Sequence, residues 1–130
     1  MQEYAIKTPF TTEEVQQSAR ILLAYGTKAE QIIPTLNMLG DVASGTGADL
    51  KQMALVFGQI KAAGKLMGQD LLQLVNAGFN PLQEISKRTK VSMASLRKEM
   101  EDGKISFERI QESFMYATSV GGKFYELNEK

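Results

Sequence analysis

No cysteine and no histidine occurs among the 130 residues. That excludes disulfides, thiolate nucleophiles, zinc held by thiolate or imidazole, and every histidine-based catalytic triad. The lack of cysteine fits a cytosolic origin without identifying a compartment. Net charge is absent too: 15 Lys and Arg balance 15 Asp and Glu. A nucleic-acid domain usually carries a basic footprint, so this balance argues against one. No apolar run approaches the roughly 20 residues that a membrane span needs. Ile21 to Tyr25 is among the longest. The opening residues Met-Gln-Glu-Tyr are not a signal peptide.

What is present reads as a globular helical chain. Hydrophobic content of 43% and charged content of 23% are ordinary for a single domain able to bury a core without staples. The stretch at residues 66–81 organises the rest. Gly68 opens a short helix, and Asp70 in its first turn complements the helix dipole. Leu71, Leu74 and Val75 share one face at helical spacing. Gly78 sits where a left-handed residue ends a helix; Asn80 then caps the next one, with Pro81 at its first position. Asp70 is the one charge between Leu66 and Gln83. A solvated helix normally carries more, so the stretch is either packed on several sides or covered by a partner. The candidate interaction surface is Leu66, Met67, Gln69, Gln73, Asn76 and Phe79, with Gly58 from the preceding helix.

In chain order, Tyr4, Ile6 and Thr8 alternate as in an extended N-terminal arm. Thr11 and Glu14 form a capping box with Phe10 as staple, and the helix they open stops at Gly26. Thr27 and Glu30 repeat the box. Pro34 then kinks or restarts the second helix, and Gly40 divides it. Gly45-Thr46-Gly47 is a turn, followed by the longest helix, near residues 48–63. Within it Ala54, Gly58 and Ala62 make a small-residue ridge, and the helix at 69–77 is the expected neighbour across it. Further helices cover 81–89 and 93–101. The last begins after Ser106 and ends at Gly121-Gly122. The fold class is all-α, a compact bundle of about six or seven short helices, each too short to be stable alone. The expected core is Leu22, Leu36, Leu39, Leu50, Met53, Phe57, Ile60, Leu71, Leu74, Ile85, Leu96, Ile110 and Phe114.

Chemistry is thinly represented. Gly45-x-Gly47 lacks the third glycine and the preceding strand of a nucleotide loop. Asp41 and Asp49 flank that turn and read as dipole partners, not metal ligands. Glu99, Glu101 and Asp102 lie on a charged, solvated helix face beside Lys98 and Lys104. Lys87, Arg88 and Lys90 complement a helix end. The seven methionines suit an irregular core or an adaptable surface. No catalytic, cofactor-binding or metal site is assigned.

The order of residues adds a resemblance. Leu39-Gly-Asp-Val-Ala-Ser-Gly-Thr-Gly47, then Val56-Phe-Gly-Gln-Ile-Lys-Ala-Ala-Gly-Lys-Leu-Met-Gly-Gln-Asp-Leu-Leu-Gln-Leu-Val-Asn-Ala-Gly-Phe-Asn-Pro-Leu82, and finally Ala117-Thr-Ser-Val-Gly-Gly-Lys-Phe-Tyr125 together resemble phage tail tape measure proteins, toward their N-terminal half. The resemblance implies a structural, non-enzymatic chain that sets tail length while the tail tube polymerises around it, and that leaves ahead of the DNA. It implies a place inside the tail tube of the virion, and in the host cytoplasm during assembly. The implied partners are the tail-tube protein, tail assembly chaperones, tail-tip or baseplate proteins and other tape measure copies, with no small-molecule substrate and no cofactor. Even fully helical, 130 residues rise only about 195 Å, so residues 1–130 are expected to be one helical domain excised from a much longer phage or prophage chain. Two other readings compete. One is a cell-wall-hydrolase-associated module using Glu84 or Glu99 as its acid. The other is DNA contact through Lys87, Arg88 and Lys90.

Overall fold

The structure, a computed structural model, describes residues 10–119. Seven helices occupy them: α1 (Thr12–Ala24), α2 (Ala29–Thr46), α3 (Leu50–Ala63), α4 (Gly68–Ala77), α5 (Pro81–Thr89), α6 (Met93–Glu101) and α7 (Phe107–Thr118). No strand occurs among the described residues, so the fold is an all-α bundle. The N-terminal arm and the Gly121-Gly122 stop lie outside the described residues.

The caps explain most helix boundaries. Thr11 and Glu14 form the reciprocal capping box at α1, at 2.8 and 3.0 Å, while Phe10 and Val15 pack on the core as the staple. Asp49, Asn80, Ser92 and Ser106 each accept a first-turn N–H of the helix that follows. The second expected capping box does not form. Gly26, at φ +100°, closes α1 with the Thr27 N–H donated to the Leu22 carbonyl. That N–H is therefore unavailable to Glu30. The cap of α2 moves to Lys28, which supplies no side-chain hydrogen bond.

Pro34 and Gly40 do not divide α2, which runs 18 residues without a restart and is longer than the 14-residue α3. Pro34 and Glu30 are both exposed, so the Glu30 carbonyl that loses its intrahelical donor faces water. Gly45 remains helical and only Gly47 turns left-handed, so the expected turn shrinks to residues 47–49.

All thirteen expected core residues are buried. At their centre Phe57 meets Phe107 and Phe114 edge-on, with ring centroids 5.2 and 5.4 Å apart, and Phe79 tilts onto Phe114 at 4.6 Å. The broadest helix contact is between α1 and α3; α7 packs on α2, α3 and α5. The two loops at 64–66 and 105–107 pair like a fragment of sheet. Leu66 N–H donates to the Ile105 carbonyl at 2.8 Å, and Phe107 N–H to the Gly64 carbonyl at 3.0 Å. This ties the α3–α4 hinge to the α6–α7 hinge and drops Leu66 and Ile105 fully into the core.

Candidate interaction face

Helix α4 rests mainly on α3. Its inward side is set by Leu71 and Leu74. Its first turn is held by Asp70, whose carboxylate accepts the Met67 N–H at 3.2 Å. Burial pushes the Asp70 carboxyl above the ordinary aspartate value, and that backbone hydrogen bond pulls part of the way back. Asp70 is the sole charge on α4 and it is buried, so the outward face of the helix is uncharged.

That outward face is apolar and amide in character. Leu72 is 60% exposed, Met67 48% and Val75 42%. Gln69 and Asn76 are exposed between them. Val75 therefore does not share the buried face of Leu71 and Leu74. Residues 71, 72, 74 and 75 are all apolar, so the core contacts only part of a wide stripe. Beside the helix is a groove of about 200 Å³, walled by Ala48, Met53, Val56, Leu74 and Ala77. Asp49, Gln52 and Gln73 complete its wall, and the Gln52 amide donates to the Gln73 side-chain oxygen at 3.0 Å.

Three expected members of this face lie elsewhere. Leu66 is in the core through the loop pairing described above. Phe79 is there because the Phe79 N–H donates to the Leu74 carbonyl across Gly78, which folds the ring back beneath α4. Gly58 is buried, and its neighbour is not α4. A Cβ at position 58 would lie 2.6 Å from Cδ2 of Tyr25, so the glycine accommodates the aromatic ring that closes α1. Ala54 is buried and Ala62 exposed, so the small-residue ridge is only two residues long.

The other residues considered for chemistry have structural partners. Glu84 pairs with Lys87 at 3.9 Å and Glu99 with Arg109 at 2.7 Å. Arg88 stacks on the Tyr116 ring, and Lys90 is the left-handed cap of α5. The basic cluster is thus spread over three different local tasks. Asp49 caps α3 through the Lys51 N–H, and Asp41 is buried in α2. Among the described residues no three carboxylates gather as a metal site, and no helix is long and apolar enough to cross a membrane.

A family model described as tape measure protein matches residues 1–130. The chain belongs to the tape measure protein family. Comparison with curated proteins and with solved structures gives no match. Family membership makes this tape measure chain a structural component of the phage tail, with other tail proteins as its neighbours.

Proposed function

We propose that this tape measure chain is a compact module of a longer tail ruler, and that α4 docks it on the tail-tube protein as the tube polymerises. The ruler sets tail length by templating that polymerisation, and it leaves the tube ahead of the DNA. The match over residues 1–130 carries the reading. The seven short helices of the described residues, separated by left-handed turns at Gly26, Gly47, Gly64, Gly78, Lys90 and Gly103, cannot themselves measure a tail, so length must come from chain outside them. The uncharged outward side of α4 supports the docking role. An apolar and amide surface can be desolvated against a partner without stranding a charge.

The test is a phage carrying Leu72→Asp and Val75→Asp in its tape measure gene. Both side chains are exposed, so the isolated domain should melt as the parent does. Electron micrographs should show few or no complete tails. Normal tails at normal frequency would remove α4 from the assembly reading. An in-frame helical insertion elsewhere in the parent chain should lengthen the tails; unchanged tails would remove the ruler reading instead.

A further inference from the structure

The groove between α3 and α4 has a chemistry of its own, distinct from the outward side of α4. Its floor is Met53, Val56 and Leu74, each 2% exposed or less. Gln73 and Ala77, one helical turn apart, form the edge of α4 that borders it, while Leu72 and Val75 lie outside its wall. At about 200 Å³ it is smaller than the roughly 300–1,000 Å³ pockets that hold whole small molecules. It is larger than an apolar cavity of roughly 150 Å³, which is enough to hold benzene. One aromatic side chain therefore suits it, and a methionine in the floor is a favourable neighbour for a ring.

The rim is polar and incompletely paired. Gln52 donates to the Gln73 side-chain oxygen, but the Gln52 oxygen and the Gln73 amide group make no hydrogen bond among the described residues. An acceptor and a donor thus stand side by side at the rim. An extended peptide has backbone groups that need both; the interior of a helix needs neither, because its own groups are paired. Asp49 is the one charged residue in the lining, and it is exposed. One of its oxygens accepts the Lys51 N–H at 3.0 Å, and no ion pair among the described residues involves it. A cation beside the ring is the charge complement of that carboxylate. We propose that this groove takes the aromatic side chain of an extended peptide segment whose neighbouring residue is Arg or Lys. The proposal rests on the docking reading above only for which protein carries the segment, another component of the tail; the recognition itself rests on the groove.

The test is backbone amide NMR of the isotope-labelled full chain, titrated with the blocked peptide acetyl-Gly-Phe-Arg-Gly-amide. Saturable shifts centred on Gln52, Val56, Gln73 and Ala77 are expected. Alanine in place of the peptide's Phe should weaken binding about tenfold or more, because the groove is left empty. Glutamate in place of its Arg should weaken binding about threefold. Asp49→Asn keeps a capping oxygen for the Lys51 N–H and should erase that preference for Arg over Glu. Gln73→Ala removes the rim donor and should weaken binding about threefold. Neither side chain belongs to the core, so both variants should fold. Shifts that fail to saturate, or equal binding of the alanine peptide, would overturn the proposal. So would a preference for Arg that survives Asp49→Asn. In the free chain, movement of the same resonances with protein concentration would assign the groove to a second copy. Their movement in Lys123→Ala with Phe124→Ala would assign it to this chain's own residues. Either result overturns the proposal. Leu72→Asp with Val75→Asp should leave peptide binding intact. Loss of tails in a phage with those two changes, without peptide binding to the parent chain, would sink this proposal and keep the docking reading. Peptide binding with normal tails in that phage would do the reverse.

Discussion

Helices α3 and α4 are consecutive, both rich in apolar residues, and differently used. The first buries Leu50, Met53, Ala54, Val56, Phe57, Gly58 and Ile60, around most of its circumference. The second buries Asp70, Leu71 and Leu74 and turns Leu72 and Val75 outward. Charge does not separate them in the expected direction. The buried helix carries Lys51 and Lys61, whereas the exposed one carries a single charge and hides it. What differs is the number of neighbours. Helix α3 is packed by α1, α2, α4 and α7, and α4 mainly by α3. Charge content therefore does not mark burial here; the number of packed neighbours does, and it leaves α4 the uncharged outward side proposed above for a partner.

That contrast is broken most severely at Phe57. It is 2% exposed and touches two other rings, so Phe57→Ala should cost about 3–5 kcal/mol in chemical denaturation. A loss under about 1 kcal/mol would mean that the aromatic cluster does not hold α3 in place. Gly58 gives the next effect. Alanine favours a helix over glycine by roughly 0.5–1 kcal/mol, yet its Cβ would collide with the Tyr25 ring, close to the root of that side chain. Gly58→Ala should therefore destabilise by about 1–3 kcal/mol. The double variant with Tyr25→Ala should lose less than the sum of the two single losses, because the clash disappears with the ring. Additive losses would show that Tyr25 is not the obstacle.

Periodicity explains why so much of the bundle is legible in the residues. Leu50, Met53, Phe57 and Ile60 recur at the helical repeat, and a stripe of that width has to face inward. Loop residues have no such repeat. Leu66 and Ile105 are buried by backbone pairing between loops about forty positions apart, and no local pattern announces it. Phe79 carried a local signal, the glycine before it: the residue after a left-handed cap commonly packs back on the last turn. Thr27 shows two local rules in competition. The C-terminal closure of α1 and the capping box of α2 both need its N–H, and the closure takes it. Within the candidate face, Met67, Gln69 and Asn76 are exposed. Leu72 was hidden from that reasoning because a wide apolar stripe does not state which of its edges is wet.

Asp70 sharpens the comparison with a smaller effect. Its folded value is raised, chiefly by desolvation. Below the usual carboxylate range both folded and unfolded chains hold the proton, and Asp70 carries no penalty. As pH rises from there through the raised folded value, the folded state must ionise a buried group, and stability falls. Asp70→Asn keeps an acceptor for the Met67 N–H and removes that ionisation. The variant should gain slightly in melting temperature at neutral pH and show less decline between acid and neutral pH than the parent. A loss at neutral pH with an unchanged pH profile would show that the charged carboxylate stabilises the turn instead.

The smallest expected effect is the most discriminating, because it compares two identical residues one position apart. Leu71 is 6% exposed and Leu72 60%. Leu71→Ala leaves a hole between α4 and α3 and should cost about 2–4 kcal/mol. Leu72→Ala removes a side chain that touches mostly water, so stability should stay within about 0.5 kcal/mol of the parent. Helix propensity does not blur the result, since leucine and alanine are both strong helix formers. If the two variants lose equal stability, α4 is rotated from the orientation described, and its apolar outward face does not exist. If only Leu71→Ala loses stability, Leu72 contributes nothing to this fold. A leucine that the fold does not need, on a helix whose one charge is buried, is then available to a partner in the tail.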